Sequence, residues 1–124
     1  MALLNSTRDL RTFVPARDFS VSRAFYGELG ATEAWASDNM VLLRLGESSF
    51  YLQDAYVKPW AENVMLFLLV PDPDALHAEL AALDLPGRYP GVRLSEPRDY
   101  DWGLREVHLH DPAGVLWHFA REIV

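Results

Sequence analysis

The sequence predicts an α+β domain of two consecutive βαβββ modules, whose strands form a curved, eight-stranded half-barrel with the helices on its outside. Three observations predict it. The order strand, helix, three strands runs twice along the chain at a spacing of about 55 residues, which marks two units that each need the other to bury a sheet face. Both helices carry clear start signals. The chain closes with an alternating run, REVHLH, a turn, DPAG, and a second run, VLWHFA, which together read as a β-hairpin. Module one then covers about residues 8–57 and module two about 63–124, within one domain.

Taken in order, residues 10–16 (LRTFVPA) read as a first strand, limited by Pro15 to an edge, an end or a bulge. Asp18 or Ser20 can cap the helix that follows. Val21, Ala24, Phe25 and Leu29 give it an apolar stripe before Gly30 stops it. Residues 32–36, 40–45 and 49–53 are strands separated by turns at Asp38-Asn39 and Gly46-Glu47. Residues 54–63 (DAYVKPWAEN) lack a clear period and read as a loop between the halves. The pattern then restarts with a strand at 64–70 and a helix opened by Pro71-Asp72-Pro73-Asp74 and striped by Leu76, Leu80 and Leu83. Strands at 89–94, 105–110 and 115–120 complete it. In the last strand His118 alternates with Trp117 and Phe119, so it looks away from the helix layer if the two aromatics face it. A simple four-residue turn sets His108 opposite Trp117 and His110 opposite Val115, away from His118, unless a bulge shifts the register.

Composition excludes several function classes. The 124 residues contain no cysteine, which removes disulfides, thiolate catalysis and zinc-thiolate sites. A formal net charge of −7 argues against nucleic acid as a partner and favours the approach of cationic ligands. The longest apolar run, VMLFLLV, is too short to span a bilayer, and the N-terminal stretch has no secretory pattern, so a cytoplasmic protein without a membrane partner is expected. There is no nucleophile elbow, phosphate loop or dinucleotide fingerprint.

The opening VPARDFSVSRAFYGELG, the Trp102-Gly103 pair followed by Arg105-Glu106, and the closing DPAGVLWHF resemble the vicinal oxygen chelate superfamily, the group of glyoxalase I, extradiol dioxygenases, and fosfomycin and bleomycin resistance proteins. The resemblance covers nearly the whole chain and is strongest to the bleomycin resistance proteins. It implies metal-ligand positions at residue 11, at 51 or 53, at 65 and at 118. These hold Arg11, Tyr51 or Gln53, Met65 and His118. An arginine cannot coordinate, and a thioether suits neither zinc nor the hard cations. No metal at those positions and no cofactor are therefore expected.

What remains is a cavity lined by aromatic side chains. Trp60 and Trp102 stand out because both lie in charged segments without strand periodicity; Trp35, Tyr51, Tyr56 and Phe13 join them, with His118 as a hydrogen-bonding or stacking group. Glu62, Asp99, Asp101 and Glu106 supply an acidic rim. Arg11 needs a carboxylate partner or an anion if it points inward. The resemblance implies a homodimer that sequesters a cationic or aromatic small molecule, such as a glycopeptide antibiotic, between subunits, with an antibiotic-resistance role. The alternative is a metal-dependent glyoxalase-like lyase or dioxygenase with a displaced site built from His118, Gln53 and either Glu106 or His108.

Overall fold

The computed structural model describes residues 2–123; Val124, the end of the second module as read from sequence, lies outside them. A short helix α1 (Ala2–Asn5) precedes strand β1 (Phe13–Pro15), helix α2 (Phe19–Leu29) and strands β2 (Thr32–Ala36), β3 (Met40–Leu45) and β4 (Ser48–Gln53). Helix α3 (Lys58–Ala61) leads to strand β5 (Met65–Leu69) and helices α4 (Pro73–Ala82) and α5 (Leu85–Arg88). Strands β6 (Arg93–Leu94), β7 (Arg98–Asp99), β8 (Leu104–His110) and β9 (Leu116–Glu122) follow. The strands form two curved sheets in the orders β1-β4-β3-β2 and β5-β9-β8-β6, with β7 on β8. In each sheet the first strand of the module pairs parallel with the last, and all other pairs are antiparallel.

The two longer helices, α2 and α4, start where a side chain caps them. Asp18 caps α2 by accepting from the Val21 N–H, and Gly30, at φ 106°, closes it in the left-handed region that glycine enters without a Cβ penalty. Asp72 does the same at the start of α4, accepting from the Asp74 and Ala75 N–H groups. One core runs through both modules. Phe25 and Tyr26 of α2 meet Val14, Val41, Leu43, Phe50 and Leu52 of the first sheet, and the same cluster continues through Leu80, Leu85, Val107, Leu109, Trp117 and Phe119. The alternation read from sequence decides these faces, with Val107, Leu109, Trp117 and Phe119 turned inward and His108 and His118 turned the other way.

Several elements differ from the sequence reading, beginning with α1, which was not expected, and β1, which keeps only Phe13–Pro15 of the strand read at 10–16. The segment 54–63 contains α3, because Pro59 pre-sets the φ of a first helical turn where no N–H is needed. The strand expected at 89–94 shrinks to Arg93–Leu94, since α5 takes the residues before it and the Tyr89 N–H bonds back to Leu85 O. A short ninth strand, β7, lies against Arg105 and Glu106 of β8. The closing hairpin has a five-residue turn, with the Asp111 N–H donating to Val115 O at 2.9 Å and His110 paired with Leu116. His108 therefore faces His118, not Trp117.

The cause of the longer turn is Asp111, a fully buried acid. Its Oδ1 accepts from the Ala113 N–H at 2.8 Å and the Val115 N–H at 2.9 Å, and its Oδ2 accepts from the Tyr26 hydroxyl at 2.6 Å. The Tyr26 oxygen accepts in turn from Trp117 Nε1 at 2.9 Å. Burial pushes the Asp111 carboxyl above its ordinary range, while the Tyr26 hydroxyl and the turn N–H groups pull it back down.

Candidate functional site: a buried carboxylate between two histidines and Trp102

Glu106, His108 and His118 share the face of the second sheet that looks away from the core. Glu106 and His108 are two residues apart on β8, and the five-residue turn sets His118 of β9 directly opposite His108. Glu106 is 1% exposed. Its Oε1 receives His108 Nε2 at 2.9 Å and His118 Nδ1 at 2.7 Å, and its Oε2 accepts from Trp102 Nε1 at 2.7 Å. Burial alone would raise the pKa of this carboxyl, but the donors from Trp102, His118 and His108 outweigh it, so the pKa lies below the ordinary glutamate value and the group is ionised at neutral pH. Both imidazoles therefore present an N–H to Oε1, which fixes their tautomers while they are neutral.

The turn that carries Trp102 is as firmly built. The Tyr100 N–H donates to Leu104 O at 2.8 Å, the Gly103 N–H donates to Tyr100 O at 3.1 Å, and Gly103 sits at φ 87°. Arg105 ties the base of this hairpin to Asp99 at 2.9 Å and to Asp74 of α4 at 2.7 Å. Trp102 is 63% exposed and stacks on Tyr100 with centroids 4.5 Å apart. Tyr100 stacks in turn on His108 at 5.4 Å, and Arg98 lies over the Tyr100 ring at 4.9 Å. On the far side Phe67 of β5 stacks on His118 at 6.4 Å. Met65, Leu66, Phe67, Trp102 and Leu104 line an open cleft, with Glu106 and His118 at its floor.

The remaining sequence candidates divide among other places. Arg11, Phe13, Trp35 and Tyr51 line a second open cleft on the first sheet, together with Met40 and Leu42. Phe13 stacks on Tyr51 at 5.2 Å, and Trp35 meets that ring edge-on at 6.5 Å. Arg11 donates to Asp9 at 2.7 Å and to the Tyr51 hydroxyl at 2.9 Å, so its charge is partnered and partly exposed. Tyr56 lies near Arg17, Lys58 and Glu62 in a polar hollow, and Trp60, on α3, lines neither aromatic cleft. Of the proposed rim acids, Asp99 is tied to Arg105, Glu62 sits by Lys58, and Glu106 is the buried centre of the site. The positions 11, 51, 65 and 118 split two and two between the clefts. Tyr100 and Phe67 were not singled out by sequence, and Met65 was singled out only as a thioether unsuited to a metal. The spacing of Trp102, Glu106 and His108 was the available signal, because i, i+2 on a strand is one face.

The two sheets also match each other position by position. Phe13 pairs with Tyr51 across β1 and β4 as Phe67 pairs with His118 across β5 and β9. This repeat is the tandem-module arrangement expected from the sequence. No family model matches the sequence, and no curated protein matches it. Among solved structures, a bleomycin-binding protein complexed with bleomycin superposes with a TM-score of 0.80 at 23% identity, over 94% of this chain and 99% of that one. The bleomycin resistance determinant encoded on transposon Tn5 gives 0.77 at 20% identity, over 95% and 100% of the two chains. The bleomycin-binding protein of Streptomyces verticillus complexed with copper(II)-bleomycin gives 0.76 at 24% identity, over 92% and 95%. At these identities the likeness carries the fold. Among the described residues no helix is long and apolar enough to cross a membrane.

Proposed function

We propose that this chain is a cytoplasmic small-molecule-binding protein of the bleomycin resistance type, which sequesters a cationic or aromatic ligand, such as a glycopeptide antibiotic, without transforming it. The observation that carries the reading is Trp102, an exposed indole whose N–H is fixed on a buried, ionised carboxylate and whose ring already stacks on Tyr100. A flat ring held in that way offers stacking or cation–π contact at low entropic cost. The net charge of −7 favours a cationic partner, and the structural neighbours include two proteins complexed with bleomycin or its copper(II) form.

The same reading includes a homodimer. Each chain exposes two open, largely apolar clefts, with Phe13 and Trp35 in one and Met65, Phe67 and Trp102 in the other. A second copy that covers both faces by one two-fold operation would bury this surface and turn half-open clefts into enclosed sites. Titration calorimetry and thermal shift with metal-free bleomycin and with copper(II)-bleomycin test the function. Binding by either drug, with a loss of about 30-fold in Trp102→Ala as expected for an aromatic anchor of ~2 kcal/mol, supports it. No binding of either drug refutes the bleomycin-type assignment.

A further inference from the structure

We infer that Glu106, His108 and His118 form a three-donor site for one divalent transition-metal ion of the Zn²⁺, Ni²⁺ or Cu²⁺ kind, open to the cleft beneath Trp102. The site shares only His118 with the positions at 11, 51 or 53, 65 and 118 considered above, and it differs from the displaced site of the sequence reading in using both Glu106 and His108 and not Gln53. It also stands apart from the sequestration reading, since an ion can bind whether or not an antibiotic does.

Three features of the geometry support it. The donor atoms Glu106 Oε1, His108 Nε2 and His118 Nδ1 all lie within 4.8 Å of one another. The contacts of 2.9 and 2.7 Å from the two nitrogens to Oε1 are now N–H···O hydrogen bonds. Tetrahedral zinc with bonds of about 2.0–2.1 Å separates its ligand atoms by about 3.3 Å. Small side-chain rotations make that room, and each neutral imidazole then carries its proton on the other ring nitrogen, His108 Nδ1 and His118 Nε2, so that the ion takes the place between the three donors.

The donor chemistry supports it as well. Two imidazoles and a carboxylate suit zinc, nickel and copper, and do not suit calcium or magnesium, which take oxygen ligands. The second oxygen of the carboxylate is held by Trp102 Nε1 at 2.7 Å, the kind of outer hydrogen bond that orients a metal ligand. Ring packing by Tyr100 on His108 and by Phe67 on His118 restricts both imidazoles.

Glu106 and His118 line the open cleft beneath Trp102, so an ion held by the three donors faces that cleft. A bound ion would carry water there, or an oxygen or nitrogen donor of a small ligand.

The test uses the full chain, freed of metal by chelator and titrated with zinc chloride alone. One ion per chain with a Kd in the micromolar range or tighter is expected. His108→Ala and His118→Ala should each weaken zinc at least about 100-fold, and Trp102→Phe, which keeps the ring and loses the N–H, by about 10-fold in the manner of an outer-shell partner. His77→Ala, on α4 outside the cluster, should leave the affinity unchanged. Because a variant can fail to fold, copper(II) is also added to the unaltered protein, where an electron paramagnetic resonance spectrum with coupling to two imidazole nitrogens is expected. Zinc affinity that survives the double histidine variant, or a copper spectrum without two nitrogens, overturns the assignment.

Discussion

Replacing Tyr26 by phenylalanine removes one oxygen from the middle of the core and leaves the ring packing in place. That oxygen donates to Asp111 at 2.6 Å and accepts from Trp117 Nε1 at 2.9 Å, and its loss strands a buried indole N–H and one oxygen of a buried carboxylate. Each unsatisfied group costs about 1–3 kcal/mol, partly offset because the hydroxyl no longer has to be desolvated. The net loss expected is about 3 kcal/mol, or roughly 10 °C in Tm for a chain of this size. The pH dependence is the sharper readout. Tyr26 is among the groups that hold the Asp111 carboxyl down against burial, so in Tyr26→Phe its folded pKa moves further above the unfolded value. A raised acid means that the folded state binds the proton more tightly, so stability falls as pH rises through the window above the ordinary aspartate range. The deficit of the variant should therefore be larger near neutral pH than at about pH 4.5. Urea titrations at both pH values, with an unchanged m-value, measure it. A loss below about 1 kcal/mol, or the same deficit at both pH values, refutes the role given to the Tyr26 hydroxyl.

Gly114 sits at φ 95° in the turn, and Gly114→Ala should cost about 1–2 kcal/mol by thermal unfolding even though the nearest atom to a new Cβ is at an ordinary 3.6 Å. Asp74 is held below the ordinary carboxylate range by Arg105, and Glu28 by Tyr89 and Arg88. Their contribution is present above the unfolded pKa and lost as pH falls through the folded one. Acid-unfolding curves of Arg105→Ala should accordingly show a flatter acid limb. Phe67→Glu puts a charge into an exposed apolar face, and sedimentation velocity should show a dimer in the unaltered protein that this variant shifts to monomer; an unshifted dimer places the interface elsewhere.

Much of the fold was legible because its signals are local. Asp18 with Gly30, the Asp72-Pro73 start, and the period-two runs in the last two strands each act through the backbone within a few residues, and the doubling of the pattern points to tandem modules. The elements that were misjudged depend on partners far away in sequence. The strand expected at 89–94 yields to α5, and β7 exists because β8 offers it an edge. The candidate site was half legible. Trp102 stood out as a large aromatic among charges. Glu106 read as a rim acid, because nothing local shows that Trp102, His108 and His118 will all donate to it. The opposition of His108 and His118 was hidden for a related reason, since the turn is built on a buried Asp111 whose second oxygen is held by the Tyr26 hydroxyl, 85 positions away.

The five-residue turn at Asp111 also sets how the chain can vary. Most surface loops accept an inserted or deleted residue at little cost, because only their path changes. Here the residue count acts as a reading frame for β9. Adding or removing one residue between 111 and 115 would send His118 into the core and turn Trp117 and Phe119 out to water. Length changes in this turn are thus tolerable in pairs. Any protein that keeps both the core and the histidine pair must hold the parity of this short loop, whatever residues it uses to build it.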